Sequence, residues 1–533
     1  MQWAPAPQKR EQMVLFSRRL DDAVEPDHNV RLLDAILGRI DWTPWEARYH
    51  GRLGQPPIPP RVLAGVILYG LLTRIRSSRR LEEALTVRLD FMWLVEGRTI
   101  DHTTLSEFRR HRAQELKNLF VQIGLLAREL GWLSLQQLAF DGTRLRSNNR
   151  RGGSRTPQEL REMQEELGKK FAELEAQATV EDTRDDEAFG TASPHKLPAE
   201  LADTQRRLKQ VDAALAELAR VEAAGETTPS RLPLTDPQSR MTPNKEGGFA
   251  PNYTPLATVD VASGLIVAAD VIAMTSEELH LVPQIKAVQE DFQLPAPPAE
   301  VLGDGIMCSG ANLAALEALG TTLYSPLAAP DAATNPALRA DPTQPVPPED
   351  WDRLPTKEIK NRSGEKQSQL TKDAFVYDEQ NDCYWCPQGQ KLSFVHKTSE
   401  TIAGGRVERS RYKANAAACA ACPLRACCLQ KKAMRREVSH DQHAALRERH
   451  AKRMATPEAQ AKYKKRREVA EMPFAIIKHH FGARRFLLRG LNNVRTEWRW
   501  LATAFNLHKL MSLMRTRAGP AAALSLSAPT RVV

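Results

Sequence analysis
Three carboxylates in this 533-residue chain stand among neighbours that suit them to chemistry. Asp141 closes the apolar run Leu138-Ala139-Phe140 and opens the basic, amide-rich stretch "DGTRLRSNN"; Asp304 closes a second apolar run in "AEVLGDGIMCSGANLAALEALG" (299–320). Glu471 lies in "KYKKRREVAEMPFAIIKHHFGARRF" (462–486), with Arg467 four residues before it and Lys478 seven after, so all three share one face of a continuous helix. A carboxylate set among cations is fitted to hold a metal ion beside a phosphate backbone. The competing readings are bland: aspartates at strand ends shape turns, and Glu471 with Arg467 makes an ordinary intrahelical salt bridge. Pro473, two residues after Glu471, predicts a kink or a helix start there.

Six of the seven cysteines fall between Cys383 and Cys428, in "CYWCPQGQ" (383–390) and "CAACPLRACC" (419–428). Two such pairs, with Pro and Gly in the knuckles, suit a four-thiolate structural zinc site. Spacing by itself admits Cys383, or Cys427 in place of Cys428; reduced cysteines without metal are the alternative. The first thirty residues lack a signal-peptide pattern, which favours a cytosolic protein and argues against disulfides. Cys308 stands apart and reads as a packed thiol. Charge breaks every long apolar stretch, so no membrane span is expected.

The formal charge is +10, yet Lys431–Arg515 holds 21 Lys/Arg against 7 Asp/Glu, a surplus of 14 that leaves the remainder at −4. Trp498, Trp500, Phe486 and Tyr463 interleave with these cations. That pattern suggests a polyanionic partner such as nucleic acid, against the alternative of a solvated helical surface.

Positioning such residues takes more than one core, and this length predicts two to four domains or a core with large insertions. Helical spacing over "RVLAGVILYGLLTRI" (61–75), "RRLEEAL" (79–85) and "TTLSEFRRHRAQEL" (103–116) predicts a helical N-terminal region. Thr103 or Thr104 is the expected N-cap of the last, with Glu107 completing a capping box. Arg109, Arg110 and Arg112 follow, as in a small DNA-binding unit or a dimerisation module. Strand pattern appears at "LQQLAFDGT" (135–143) and ends in Asp-Gly, a turn former. Residues 157–178 and 198–222 predict a helical hairpin. "YTPLATVDVASGLIVAADVIA" (253–273) reads as two strands about Ala262-Ser263-Gly264, followed by helices over 276–292 and near Ala311–Leu319. Residues 326–372 read as a linker or irregular insertion. Strands ending in Asp-Gly on either side of a hairpin and a helix predict an α/β fold with functional groups at strand ends.

Several stretches together resemble the DDE transposases of bacterial insertion sequences: "YGLLTRIRSSRRLEEAL", "DHTTLSEFRRHR", "FDGTRLRSNN", "DPQSRM", "GGFAPNYTPLATVD", "LGDGIMCSGANLAAL" and "RREVAEMPFAIIKHHFGARRFLLRGLNNVRTEWRWLATAFNLHKL". The resemblance implies an α/β protein with an RNase H-like mixed-sheet core, a helical N-terminal DNA-binding domain, a helical-hairpin insertion and a small cysteine-rich, zinc-ribbon-like insertion. On that basis residues 1–134 form the N-terminal domain, 135–150 and 236–330 two parts of the core, and 151–235 the helical insertion. Residues 331–440 form the linker and cysteine-rich insertion, 441–515 basic helices completing the core, and 516–533 a disordered tail.

The resemblance further implies Asp141, Asp304 and Glu471 as a catalytic triad for two Mg2+ (or Mn2+) ions, with Asp141 bridging them. Cys386, Cys419, Cys422 and Cys428 become the zinc set, and Arg109, Arg110, Arg112, Arg144, Arg146, Arg467 and Lys478 the DNA contacts. The implied partners are double-stranded DNA, as terminal inverted repeats and target, and a second copy of the chain, with no membrane; the implied place is the bacterial cytoplasm, at the nucleoid. A derelict or co-opted transposase that only binds DNA is the alternative. The tyrosine usual three positions before the arginine falls on Lys464, with Tyr463 beside it. "NYTPL" replaces a Tyr-Asn-x-Gln pattern, and "DGIMCS" lacks the aromatic common after the glycine.

Overall fold
The computed structural model describes residues 19–517 apart from 51–55, 151, 190–198, 244–246, 275, 328–330, 332, 361–365, 403–404 and 431–432. The chain divides into two compact units, one of Met1–Glu277, Ala287–Pro295 and Arg467–Val533, the other of Glu278–Lys286 and Ala296–Arg466.

In the first unit the N-terminal region is helical, with α1 (Asn29–Gly38), α2 (Pro60–Leu72), α3 (Ser78–Val87), α4 (His102–Arg110) and α5 (Ala113–Glu129) as its longer elements. Pro60 starts α2, where a missing N–H costs nothing. The single helix expected over 103–116 is two, broken at His111 and Arg112. Its N-cap is Asp101 rather than a threonine: the carboxylate accepts the backbone N–H groups of Thr103 and Thr104 at 2.8 and 2.9 Å. A charged acceptor suits the positive end of a helix better than a hydroxyl. Hydrogen bonds from the Thr103 and Thr104 hydroxyls hold that carboxyl well below the usual range. The reciprocal capping box occurs instead at Thr156 and Glu159, opening the long helix α6 (Pro157–Phe189), which packs on α7 (Ala199–Ala223).

Five strands follow a common hub. They are β1 (Gln137–Gly142), β2 (Leu145–Arg146), β3 (Arg240–Pro243), β4 (Phe249–Asp260) and β5 (Ile266–Ile272), and β4 pairs antiparallel with each of the others. Every residue of β4 after Phe249 is buried, so it lacks the alternation of a half-solvated strand. The predicted turn between β4 and β5 forms, with Gly264 at φ +73°. Asp260 fixes it, accepting Ser263 N at 2.8 Å while its other oxygen accepts Leu135 N at 2.9 Å ahead of β1.

The helix α8 (Pro457–Ala475) enters this unit at Arg467, and α9 (Leu491–Arg517) is its spine. Along α9, Val494, Trp498, Trp500, Leu501, Phe505 and Leu510 are buried, as expected of a helix covered nearly all round. It packs against α1, α2, α4 and α5 on the helical side and β5 on the strand side. Trp500 Nε1 donates to Arg109 O at 3.1 Å and Trp498 Nε1 to Leu256 O at 3.0 Å. The tryptophans interleaved with cations are therefore core residues, and Phe486 is buried as well. Their spacing reflects a helix enclosed by two layers. The tail expected from 516 begins inside α9, and 518–533 lie outside the described residues.

The second unit holds a parallel pair, Glu300–Leu302 with Thr322–Tyr324, connected through the helix Gly310–Leu319. A five-stranded antiparallel sheet runs in the order Val376–Asp378, Cys383–Trp385, Lys391–Ile402, Gly405–Ala414, Glu437–Asp441. Leu370, Phe375, Tyr384, Leu392, Tyr412 and Val438 fill its core. The stretch expected to be irregular contributes a small hairpin, Thr356–Lys360 with Lys366–Leu370. The chain is thus mixed α/β with a helical N-terminal region, and among the described residues no helix is long and apolar enough to cross a membrane.

Candidate active site and cysteine cluster
Asp141 is the fifth residue of β1, paired with Ala257 of β4. The strand continues through Gly142, which pairs with Leu256 and has no positive φ, so the Asp-Gly step is not a turn. What the missing side chain leaves is room for another residue. A Cβ on Gly142 would lie 2.4 Å from the carboxylate carbon of Glu277 and 2.5 and 2.6 Å from its oxygens. A fourth acid thus lies directly over the residue after Asp141, and neither helical nor strand periodicity marks it. One residue further on, Thr143 Oγ1 accepts Lys478 Nζ at 2.5 Å.

Lys478 arrives there by an unusual route. The helix α8 passes through Pro473 without ending, and then widens into a π turn over Ile476–His480 closed by Phe481 N to Ile476 O at 3.0 Å. Proline removes one ladder bond, and π turns occur where such a ladder is disturbed. Lys478 lies within that turn, seven residues after Glu471. Glu471 itself is exposed, and among the described residues neither its side chain nor that of Arg467 makes a hydrogen bond or ion pair. The intrahelical salt bridge is absent.

Asp304, in the second unit, caps the short 3-10 turn Gly305–Met307, its Oδ1 accepting Ile306 N at 3.1 Å. Among the described residues no three His, Cys, Asp or Glu side chains stand together as a preformed metal site.

The seven basic residues singled out by sequence fare differently. Arg110, Arg144 and Arg467 are exposed, although Arg144 also donates to Pro243 O at 2.9 Å. Arg109 is 8% exposed and donates to Arg76 O at 2.7 Å, which removes it from any DNA-contacting set. Burial lowers its guanidinium pKa. Arg112 packs on the Tyr49 ring and donates to its hydroxyl at 3.2 Å. Arg146 is half-buried, and its carbonyl accepts Phe486 N at 2.8 Å. Asn148 donates to Leu487 O at 2.7 Å, so "RSNN" binds the chain that follows the π turn. That same chain exposes Arg484 and Arg485, which were not singled out.

"DPQSRM" has a clear local task. Asp236 Oδ1 accepts Gly490 N at 3.1 Å and Tyr253 OH at 2.7 Å, and Gln238 Oε1 accepts Leu491 N at 2.7 Å. The motif caps the start of α9. Burial raises the Asp236 carboxyl above the usual range.

Of the cysteines, Cys386, Cys419, Cys422 and Cys428 line one cavity of about 30 Å³ with Leu370, Phe375 and Leu424, although their sulfurs are not drawn together as a preformed metal site. Cys383 is buried in its strand opposite Ser393, and Cys427 Sγ lies 3.2 Å from Leu424 O; neither lines that cavity. Burial pushes the Cys428 thiol up to about 12 and raises Cys386 and Cys422 as well. Four soft sulfurs in an apolar pocket fit the donor chemistry of zinc. Cys308 is a buried thiol raised by desolvation to about 11, as a packed residue should be.

Residues 18–111 match the family model described as a transposase domain (DUF772), and residues 385–511 match the one described as a transposase DDE domain. The second match contains Glu471, Lys478 and the four cavity cysteines. No curated protein matches the chain. Together the two matches support a likeness of this chain to the DDE transposases of bacterial insertion sequences.

Proposed function
We propose that the protein, as a dimer, binds the terminal inverted repeats of its element, cuts DNA strands at their ends and joins them to target DNA. In this reading an RNase H-like core carries Asp141, Asp304 and Glu471 as ligands for two Mg2+ ions. The bond between Lys478 and Thr143 carries the proposal: it brings the Glu471 segment against the strand of Asp141 across 335 residues of sequence.

Carboxylate oxygens suit magnesium, with water and phosphate oxygens filling the remaining positions. When bound, two such ions activate water for phosphodiester hydrolysis, stabilise the leaving 3′ oxygen and later activate that 3′-hydroxyl for strand transfer. The chain's own residues supply positioning. Lys478, oriented by Thr143, neutralises a phosphate next to Asp141. Exposed Arg467, Arg484 and Arg485 hold the backbone on either side without reading sequence. The helical region 1–134, with exposed Arg79, Arg80 and Arg110, grips the repeat. Residues 151–235 and 331–440 are the helical and cysteine-rich insertions, and Cys386, Cys419, Cys422 and Cys428 hold a structural zinc. The protein acts in the bacterial cytoplasm.

The test is single-turnover cleavage of a labelled duplex copied from the DNA flanking the gene, with Mg2+, by wild type and by Asp141→Asn. Cleavage by wild type alone supports the proposal. Binding without cleavage by either supports the derelict alternative.

A further inference from the structure
We infer that Arg76 and Glu497 are positioning residues, a buried latch through which the helical N-terminal region sets the geometry of the Lys478 segment. The inference rests on the cleavage chemistry proposed above.

Glu497 lies on α9 with its side chain only 5% exposed, and Arg76 opposite is 11% exposed. The Glu497 carboxylate accepts Leu487 N at 2.9 Å, Leu488 N at 2.8 Å and Arg76 Nη2 at 2.8 Å. Arg76 also donates to Arg485 O at 2.8 Å and Gly482 O at 3.2 Å, and Arg74 donates to His480 O at 2.5 Å. Arg76 is in turn fixed by Arg109, whose guanidinium holds the Arg76 carbonyl. Apart from the Arg76–Glu497 and Arg109–Arg76 bonds, each of these falls on the segment 480–488, which begins where the π turn of Lys478 ends. The opposite edge of that segment binds the strand extension of Asp141 through Phe486 N to Arg146 O and Asn148 to Leu487 O.

A buried carboxylate satisfied by two backbone N–H groups and a guanidinium is rigid, and removing one member leaves the others unpaired. The latch therefore fixes one edge of the turn that separates Lys478 from α9, and the strand extension of Asp141 holds the other. It ties the "TRIRSS" stretch, between α2 and α3, to the Asp141 and Glu471 neighbourhood. DNA held by the helical region then meets a site whose cation is already aligned.

The experiment compares full-length wild type, Glu497→Gln, Arg76→Lys and Leu33→Ala on the same duplex with Mg2+. Leu33 is fully buried in α1, makes none of the latch's hydrogen bonds, and reports the effect of lost stability by itself. Glu497→Gln is expected to bind the duplex within about threefold of wild type. At saturating DNA it should cleave ~100-fold more slowly, as misplacement by about an ångström does. Arg76→Lys, which folds with one donor group lost, should show a smaller loss of the same kind. Leu33→Ala should lower the Tm while keeping the saturated rate below its Tm. A saturated rate for Glu497→Gln equal to wild type, or reduced only as the folded fraction falls, overturns the latch. Where wild type cleaves and Asp141→Asn does not, an unchanged Glu497→Gln rate counts against the latch alone. If wild type does not cleave, both proposals fall.

Discussion

Lys478 Nζ and Thr143 Oγ1 stand 2.5 Å apart, joining the middle of a π turn to the residue two beyond Asp141. The bond places one cation beside the first candidate acid and gives it a fixed direction. Lys478→Ala should slow cleavage and reduce the salt slope of binding by about one, the signature of a lost phosphate contact. Thr143→Val, which keeps the charge and removes its anchor, should slow cleavage with an unchanged salt slope. Rates at saturating DNA and binding over a salt series decide between them.

Asp141→Asn and Glu471→Gln should each abolish Mg2+-dependent cleavage with binding largely intact. Asp304→Asn separates chemistry from folding, because asparagine caps a helix as well as aspartate and keeps the 3-10 turn it begins. An Asp304→Asn protein that cleaves at the wild-type rate removes Asp304 from the triad.

Gly142→Ala sets a methyl group against the Glu277 carboxylate, the movable end of a flexible side chain, and should cost about 1 kcal/mol or less, together with activity as that carboxylate shifts. Glu277→Ala in the same chain relieves the clash, so the double variant should be more stable than the two single changes predict. Additive losses in urea denaturation would show that Glu277 is not what excludes a side chain at 142.

Asp236 predicts a pH dependence. Burial raises its folded pKa above the ordinary 3.8, so its contribution to stability is complete below the unfolded value and is lost as pH rises through the folded one. Asp236→Asn retains a carbonyl acceptor for Gly490 N and Tyr253 OH and carries no charge. Its Tm relative to wild type should therefore climb as pH rises above the ordinary carboxylate pKa. A difference that is flat with pH would contradict the assignment.

The cysteine cavity predicts about one zinc per chain. Serine at Cys386, Cys419, Cys422 or Cys428 should release it and lower the Tm, whereas Cys383→Ser and Cys427→Ser should retain it. Metal analysis, with the sulfur-to-cobalt absorption of a cobalt-substituted sample, reads both. Metal-free protein at full stability would leave the cavity an ordinary apolar one.

Local signals in the chain were enough for local structure. Apolar spacing placed α2, α3 and the two long helices α6 and α7, and Ala262-Ser263-Gly264 placed the β4–β5 turn, since helical period and turn geometry are properties of adjacent residues. The residues gathered around Asp141 were legible only in part. Asp141, Glu471, Lys478 and the cysteines stand out by type and spacing, but nothing in one dimension distinguishes a solvated arginine from Arg109, spent on a backbone carbonyl, or a nucleic-acid-stacking tryptophan from Trp498 and Trp500 in the core. Gly142 looked like a turn residue and proved to be the space under Glu277. Pro473 read as a kink or a helix start; the helix runs on through it and widens into a π turn three residues later. By itself the sequence determined which elements form and which side chains carry charge, metal affinity or bulk. The tertiary structure decided which of them meet, because pairing Thr143 with Lys478 or Arg76 with Glu497 closes loops of hundreds of residues, and only the packing of α9 between helices and strands selects those closures.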